Sequence, residues 1–250
     1  VGHTYRYPRP SLTVDCVIFG FEALSPSGDE GGLSVLLIRR KAEPFAGSWA
    51  IPGGFVEVSD TGSQGESLEA AARRELEEET GISVAYLEQL YTFGAPGRDP
   101  RGRVVSVAYV ALVRPGDHRV AAGSDAADAA WFPVEAALRG TLGPLAFDHA
   151  AILRTGLERL RGKIRYSPIG FNLLPARFTL GDLRRLYEVL LGQSIDAANF
   201  HKKVDKALVK SGVLIKTRHT QKGQHRPAPL YQFDARAYEK AVQRGFYFEL

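Results

Sequence analysis

The densest concentration of potential chemistry is the segment Arg74-Glu75-Leu76-Glu77-Glu78-Glu79-Thr80-Gly81-Ile82, with four glutamates in five positions beside an arginine. Side chains at i, i+3 and i+4 of a helix share a face. Glu75, Glu78 and Glu79 are therefore expected to converge, with Glu77 turned elsewhere. Converging carboxylates repel by roughly a few kcal/mol unless a cation or water separates them. Hard oxygens in that number suit Mg²⁺ or Mn²⁺. The plain alternative is a solvated acidic helix end.

Upstream, Trp49-Ala50-Ile51-Pro52-Gly53-Gly54-Phe55-Val56-Glu57 reads as a short apolar strand broken by Pro-Gly-Gly. In such a turn the backbone approaches a ligand or metal closely, which makes Gly54 a candidate partner for the ion. Together the two segments resemble the Nudix box, G-x5-E-x7-R-E-U-x-E-E-x-G-U with U apolar. Glu66 lies eight residues before Arg74, as that pattern requires, but eleven residues separate Gly54 from Glu66 where the pattern has five. The extra six, within Ser59–Gly65, read as a loop insertion ahead of an otherwise complete box helix.

The elements that must position these residues follow from patterning. Ser11–Phe21 and Leu33–Arg39 read as strands joined by a polar, Gly-rich loop. The box helix is expected over Glu66–Thr80, ended by Gly81. Val104–Val113 reads as a long strand, Val134–Leu138 follows an Ala-Ala-Trp-Phe-Pro string, and Leu145–Leu160 has helical periodicity. This order resembles the Nudix α/β/α sandwich across roughly residues 10–160. Lone Cys16, in an apolar strand, argues for packing in a reducing compartment rather than a disulfide. No stretch is long and apolar enough to span a membrane, and no signal peptide is visible. The chain opens on Val1 without any methionine, so its natural start is expected upstream.

Charge divides the chain. Residues 1–150 carry 13 Lys and Arg against 20 Asp and Glu, a net −7; residues 151–250 carry 19 against 8, a net +11. Two modules are implied, 1–160 and 161–250, the second with a polyanionic partner. In the second, Ile169–Pro175 reads as a short strand. Thr179 and Asp182 form a capping-box start ahead of Leu180, Leu183, Leu186, Tyr187, Leu190 and Leu191 at helical spacing. Ser194–Asp196 would cap a second helix running to Lys210. Val213–His219 and Pro229–Phe233 form strands around a basic loop. Helix, turn, helix and hairpin is the order of a winged helix-turn-helix.

At 100° per residue, Phe200, Val204, Ala207 and Leu208 fall on one face of the second helix. Asn199, Lys202, Lys203, Lys206 and Lys210 fall on another, and His201 at the edge of the apolar side, where it is expected to pack. Lysines and an asparagine on an exposed stripe suit phosphate contact and base reading; a merely solvated face is the alternative. The hairpin adds Lys216, Arg218, His219, Lys222, His225 and Arg226, and double-stranded DNA is the expected partner.

With Phe171-Asn172-Leu173-Leu174-Pro175, the string from Tyr7 to Asp15 and that from Arg226 to Asp234, nearly the whole chain resembles the bacterial Nudix-related transcriptional regulators (NrtR). The resemblance implies a cytoplasmic, homodimeric repressor of NAD-biosynthesis genes, released from its operator by ADP-ribose or a related NAD metabolite. For such a ligand the phosphates need cations and the base an aromatic plane. Arg39, Arg40, Trp49, Arg98, Asp99 and Arg101, around the Gly53-Gly54 turn and in a charged loop, are the candidates. Three functions stay open: a ligand-controlled repressor, a Mg²⁺-dependent ADP-ribose pyrophosphatase whose basic module serves oligomerisation, and a protein that does both. In the second, the ion would polarise a phosphate and lower the pKa of an attacking water. Glu78 or Glu79 would act as base, and Arg74 would orient the carboxylates through charge-assisted hydrogen bonds.

Overall fold

A computed structural model describes residues 6–22, 31–58, 65–118, 126–221 and 227–247. The chain divides into two compact units, Val1–Gly20 with Ser34–Leu157 and Phe21–Leu33 with Glu158–Leu250, and each is described by itself.

The first unit is built on a seven-stranded mixed sheet. Its strands are β1 (Ser11–Phe21), β2 (Leu33–Arg40), β3 (Trp49–Ala50), β4 (Gly53–Phe55), β5 (Tyr86–Phe93), β6 (Val104–Val113) and β7 (Ala126–Pro133). The main path runs β3-β2-β1-β6-β5, with β4 pairing β1 and β7 pairing β2. β1 and β6 are parallel and in register from Ser11↔Val104 to Gly20↔Val113. Both are buried along nearly their whole length, as strands covered on two faces require. Strand alternation sends Val14, Cys16 and Ile18 into a core with Ala71, Ala72 and Leu76. It turns Thr13 and Asp15 to a cleft on the other side.

The box helix, α1 (Leu68–Thr80), is capped by the Ser67 side chain, which accepts from the Ala70 N–H, and by Gly81 in a left-handed conformation at φ 70°. It starts two residues later than expected because Glu66 is tied elsewhere. The Glu66 carboxylate accepts from the Glu57 N–H at 2.9 Å, and the Glu66 N–H donates to the Glu57 carbonyl. A short α2 (Val134–Arg139) precedes α3 (His149–Lys163). The latter begins four residues after the expected Leu145, because the Ala146 N–H is bonded to the Trp49 carbonyl and Phe147 has a positive φ of 52°.

In the second unit, the expected strand Ile169–Pro175 is instead a 3-10 helix, Pro168–Leu173, opened by its proline. A short buried apolar run does not by itself distinguish the two forms. α4 (Leu180–Leu191) has the reciprocal Thr179/Asp182 capping box and buries Leu180, Leu183, Leu186, Tyr187 and Leu190. α5 (Ala197–Val204) is capped by Asp196 and continues as a π-helical turn, Asp205–Val209. The hairpin pairs β8 (Leu214–Gln221) with β9 (Ala228–Phe233). It is followed by α6 (Ala235–Gln243), which the sequence reading did not include. Among the described residues, no helix is long and apolar enough to cross a membrane.

Candidate functional site

A cleft of about 390 Å³ opens in the first unit between the Gly53-Gly54 turn, the inner face of α1 and the loop before α3. Its acidic wall comes from helix geometry. The buried stripe of α1 runs Ala71, Ala72, Glu75, Leu76, Glu79, so the apolar face carries two glutamates inward with it. Glu79 Oε2 accepts the Gly53 N–H at 2.8 Å. Gly54 lies so close that a Cβ there would sit 2.2 Å from Glu75 Oε1, and one on Gly53 would sit 2.2 Å from the Val14 carbonyl oxygen. Both glycines answer a close approach of backbone to its neighbours.

Arg74 gathers the remaining acids. Its guanidinium meets Glu66 at 2.7 Å, Glu75 at 2.8 Å and Glu78 at 3.0 Å, and donates to the Phe55 carbonyl. The Glu66 hydrogen bond is the main reason that the Arg74 pKa is raised and that of Glu66 lowered. Burial pushes Glu75 up, against the opposing pull of Arg74. The expected triad of converging carboxylates is thus divided. Glu75 and Glu79 line the cleft, whereas Glu78 has a side chain 58% exposed and faces Arg74. Among the described residues, no group of three or more His, Cys, Asp or Glu is arranged to hold a metal. Two cleft carboxylates still fit Mg²⁺, which is commonly held by one or two carboxylates plus phosphate oxygens.

The floor is a buried polar network. Asp15 contacts Ser106 Oγ, Arg98 Nη2 at 3.3 Å and His149 Nε2 at 3.5 Å. Arg98 also binds Asp148 at 2.6 Å. Burial opposes the charge of Arg98, but Asp148 and Asp15 outweigh it and hold the pKa above its usual value. His149 Nδ1 accepts the Ile51 N–H at 2.9 Å. Nδ1 is therefore unprotonated, and the proton of the neutral ring sits on Nε2, facing Asp15. Burial lowers the His149 pKa despite the nearby Asp15.

The mouth is cationic and aromatic. Phe147 lies under two guanidinium groups, Arg40 at 4.9 Å and Arg101 at 5.6 Å from its ring centroid, and Arg101 also covers Phe55 at 5.1 Å. Arg101 is ion-paired with Asp99 at 2.7 Å, which raises the arginine's pKa and lowers the aspartate's. Arg40 donates through Nε to the Pro44 carbonyl at 2.9 Å. Burial and then the charge of Arg101 lower its pKa.

Arg40, Arg98, Asp99 and Arg101 thus line the cleft, as do Gly54, Glu75 and Glu79. Arg39 and Trp49 lie outside it. Arg39 donates to the Gly47 carbonyl, and Trp49 packs edge-on against Phe132 at 4.6 Å. The two pair across β2 and β3, on the face opposite Arg40. Sequence reasoning missed Asp15, Phe55, Phe147 and His149. Only Asp15 carried a signal, as a lone acid in an apolar strand.

In the second unit, Phe200, Val204 and Leu208 are buried, while Asn199, Lys202, Lys203, Lys206 and Lys210 are exposed. Lys210 pairs with Asp205 at 3.9 Å. An i,i+5 contact suits the wider π turn, in which residues five apart come onto one side. His201 is exposed rather than packed at the apolar edge. On the hairpin, Lys216, Arg218 and His219 are exposed, while Lys222, His225 and Arg226 lie outside the described residues.

Residues 13–155 match the NUDIX domain family, and residues 170–233 match the NrtR DNA-binding winged helix domain. The chain is 37% identical, over 93% of its length and 86% of the relative's, to the ADPR responsive transcriptional repressor NtrR of Acinetobacter baylyi. A crystal structure of Shewanella oneidensis NrtR complexed with a 27mer DNA superposes with a TM-score of 0.72 at 33% identity, covering 95% of this chain and 97% of that one. The NUDIX domain of the same Shewanella oneidensis protein, complexed with ADP ribose, aligns at 37% identity and TM-score 0.52 over 62% of this chain and 90% of that one. The chain belongs to the NrtR family, with a NUDIX domain followed by an NrtR-type winged helix.

Proposed function

We propose that this protein is a DNA-binding transcriptional repressor whose NUDIX cleft binds ADP-ribose and whose hold on its operator is released by that ligand. The observation that carries the reading is the exposed stripe Asn199, Lys202, Lys203 and Lys206 on a helix anchored by buried Phe200, Val204 and Leu208. Lysines so placed neutralise phosphates and supply the sequence-independent part of duplex binding. The cleft suits a nucleoside diphosphate sugar. Arg40 meets the diphosphate, Phe147 and Phe55 offer apolar planes, and Glu75 and Glu79 would hold Mg²⁺ or Mn²⁺ against the phosphates. Acting as a homodimer, the protein would read a pseudo-palindromic operator, and the resemblance points to genes of NAD biosynthesis. The relatives named above, one called ADPR responsive and one complexed with DNA, support this reading. Mobility shifts over a salt series test it. Affinity for duplex DNA should fall by orders of magnitude between about 50 and 200 mM salt, and a flat response would favour oligomerisation as the role of the basic unit.

A second reading, hydrolysis of ADP-ribose to AMP and ribose 5-phosphate by water attack on the diphosphate, is favoured by one observation: the box helix is complete and turns Glu75 and Glu79 into the cleft. Incubation with ADP-ribose and Mg²⁺ while AMP is followed separates sensing from turnover. Loss of release in Glu79→Gln would tie any turnover to this site.

A further inference from the structure

We propose that Asn199 is the base-reading residue of α5, holding the major-groove edge of an adenine through its carboxamide while the lysines around it hold phosphates. The inference rests on the DNA-binding reading and adds to it the residue that carries sequence choice.

Asn199 is the third residue of α5, in the turn that a recognition helix presents to base edges. Its backbone is fixed, because the N–H donates to the Asp196 capping carboxylate at 2.8 Å. Its side chain is exposed, and among the described residues nothing bonds its carboxamide. The two residues ahead of it, Ala197 and Ala198, are also exposed and too small to hold the helix away from a groove.

The rest of α5 narrows the choice. Lys202 and Lys203, like Lys206 in the turn beyond, are flexible point charges suited to phosphates. The helix carries no arginine, the commonest bidentate reader of guanine. Asp205 is engaged with Lys210. His201 lies about 200° around the helix from Asn199 and faces away. Asn199 is therefore the exposed side chain with a donor and an acceptor side by side. Adenine offers the matching pair, an N7 acceptor and an N6 donor, whereas guanine offers two acceptors and would oppose the amide oxygen.

The test uses the full-length chain and a random-sequence duplex library. Wild-type protein should enrich sequences with a fixed A·T pair in each half-site, and Asn199→Ala should enrich sequences in which that pair is free to vary. Replacing the adenine with 7-deazaadenine should weaken wild-type binding about tenfold or more and leave Asn199→Ala nearly unchanged. Asn199→Asp, which keeps a helix-compatible residue but only an acceptor, should shift the preference toward cytosine at that position. If Asn199 served the helix turn alone, all three proteins would enrich the same sequence, and the proposal would be overturned. A wild-type protein that enriches no sequence while binding duplex DNA would overturn it too, and leave the DNA-binding reading standing. Absence of any duplex binding would remove both.

Discussion

Arg40 and Arg101 lie over the same ring, Phe147, but differ in what answers their charge: Asp99 holds Arg101 at 2.7 Å, and among the described residues no carboxylate pairs with Arg40. Burial, and then the charge of Arg101, lower the Arg40 pKa, whereas the hydrogen bond to Asp99 raises that of Arg101. An anion entering the cleft therefore relieves Arg40 first. A diphosphate beside Arg40, with a divalent cation between it and Glu75 and Glu79, would complete the charge pattern of the site.

Arg40→Ala should weaken ADP-ribose binding by about 10- to 100-fold, the range for a lost hydrogen bond to a charged group. Arg40→Lys should recover part of that loss, because it restores charge without the stacking plane. Calorimetric titration of ADP-ribose measures both, and equal affinity in wild type and Arg40→Ala would remove Arg40 from the site.

Gly54→Ala places a methyl group 2.2 Å from the Glu75 oxygen. Accommodating it requires Glu75 or the turn to move, at a cost of about 1–3 kcal/mol in stability. Any enhancement of ADP-ribose binding by Mg²⁺ should disappear, while duplex affinity without ligand is retained. Thermal unfolding and titration with and without Mg²⁺ read the two effects, and a stable variant with full Mg²⁺ enhancement would contradict this packing.

His149 is buried neutral, with its pKa lowered by desolvation. In the unfolded chain it titrates near 6.5. As pH falls through that range the unfolded state takes up a proton that the folded state refuses, so the stability contributed by burying the neutral ring declines from there downward. The melting temperature of wild type should fall below about pH 6.5, and His149→Gln should flatten that part of the profile. An imidazole NMR titration at or above the ordinary histidine value would contradict the neutral assignment.

Lys202→Ala/Lys203→Ala should lose duplex affinity and lower the slope of log affinity against log salt by about two units, one for each phosphate contact removed. ADP-ribose affinity should be unchanged. Unaltered mobility shifts would remove these lysines from the interface.

Much of this was legible where periodicity and chemistry agree. The parallel pair β1 and β6 are long apolar runs, α1 and α4 carry their caps in sequence, and the lysine stripe of α5 follows from 100° per residue. The division among the box glutamates was also legible in principle. Ala71, Ala72, Leu76 mark the buried stripe, and Glu75 and Glu79 fall on it while Glu78 does not. Likewise Arg39 and Arg40 are neighbours on a strand, so only one of them could face the cleft. Other features left no mark. β5 mixes Glu88 and Gln89 with aromatics, and its register shifts between Gln89 and Tyr91, which blurs any alternation. Phe147 reaches the site through a positive φ, and His149 is recruited by the Ile51 N–H from 98 residues away. Such contacts depend on tertiary placement rather than on local pattern.

The most direct measurement is a titration of ADP-ribose into a complex of the full-length protein with a duplex it has itself selected from a random library, followed by fluorescence anisotropy. The account predicts that the nucleotide releases the duplex, and that Arg40→Ala binds the duplex normally but needs far more ADP-ribose to let it go. A complex that holds its duplex at saturating ADP-ribose, with or without Mg²⁺, would contradict it.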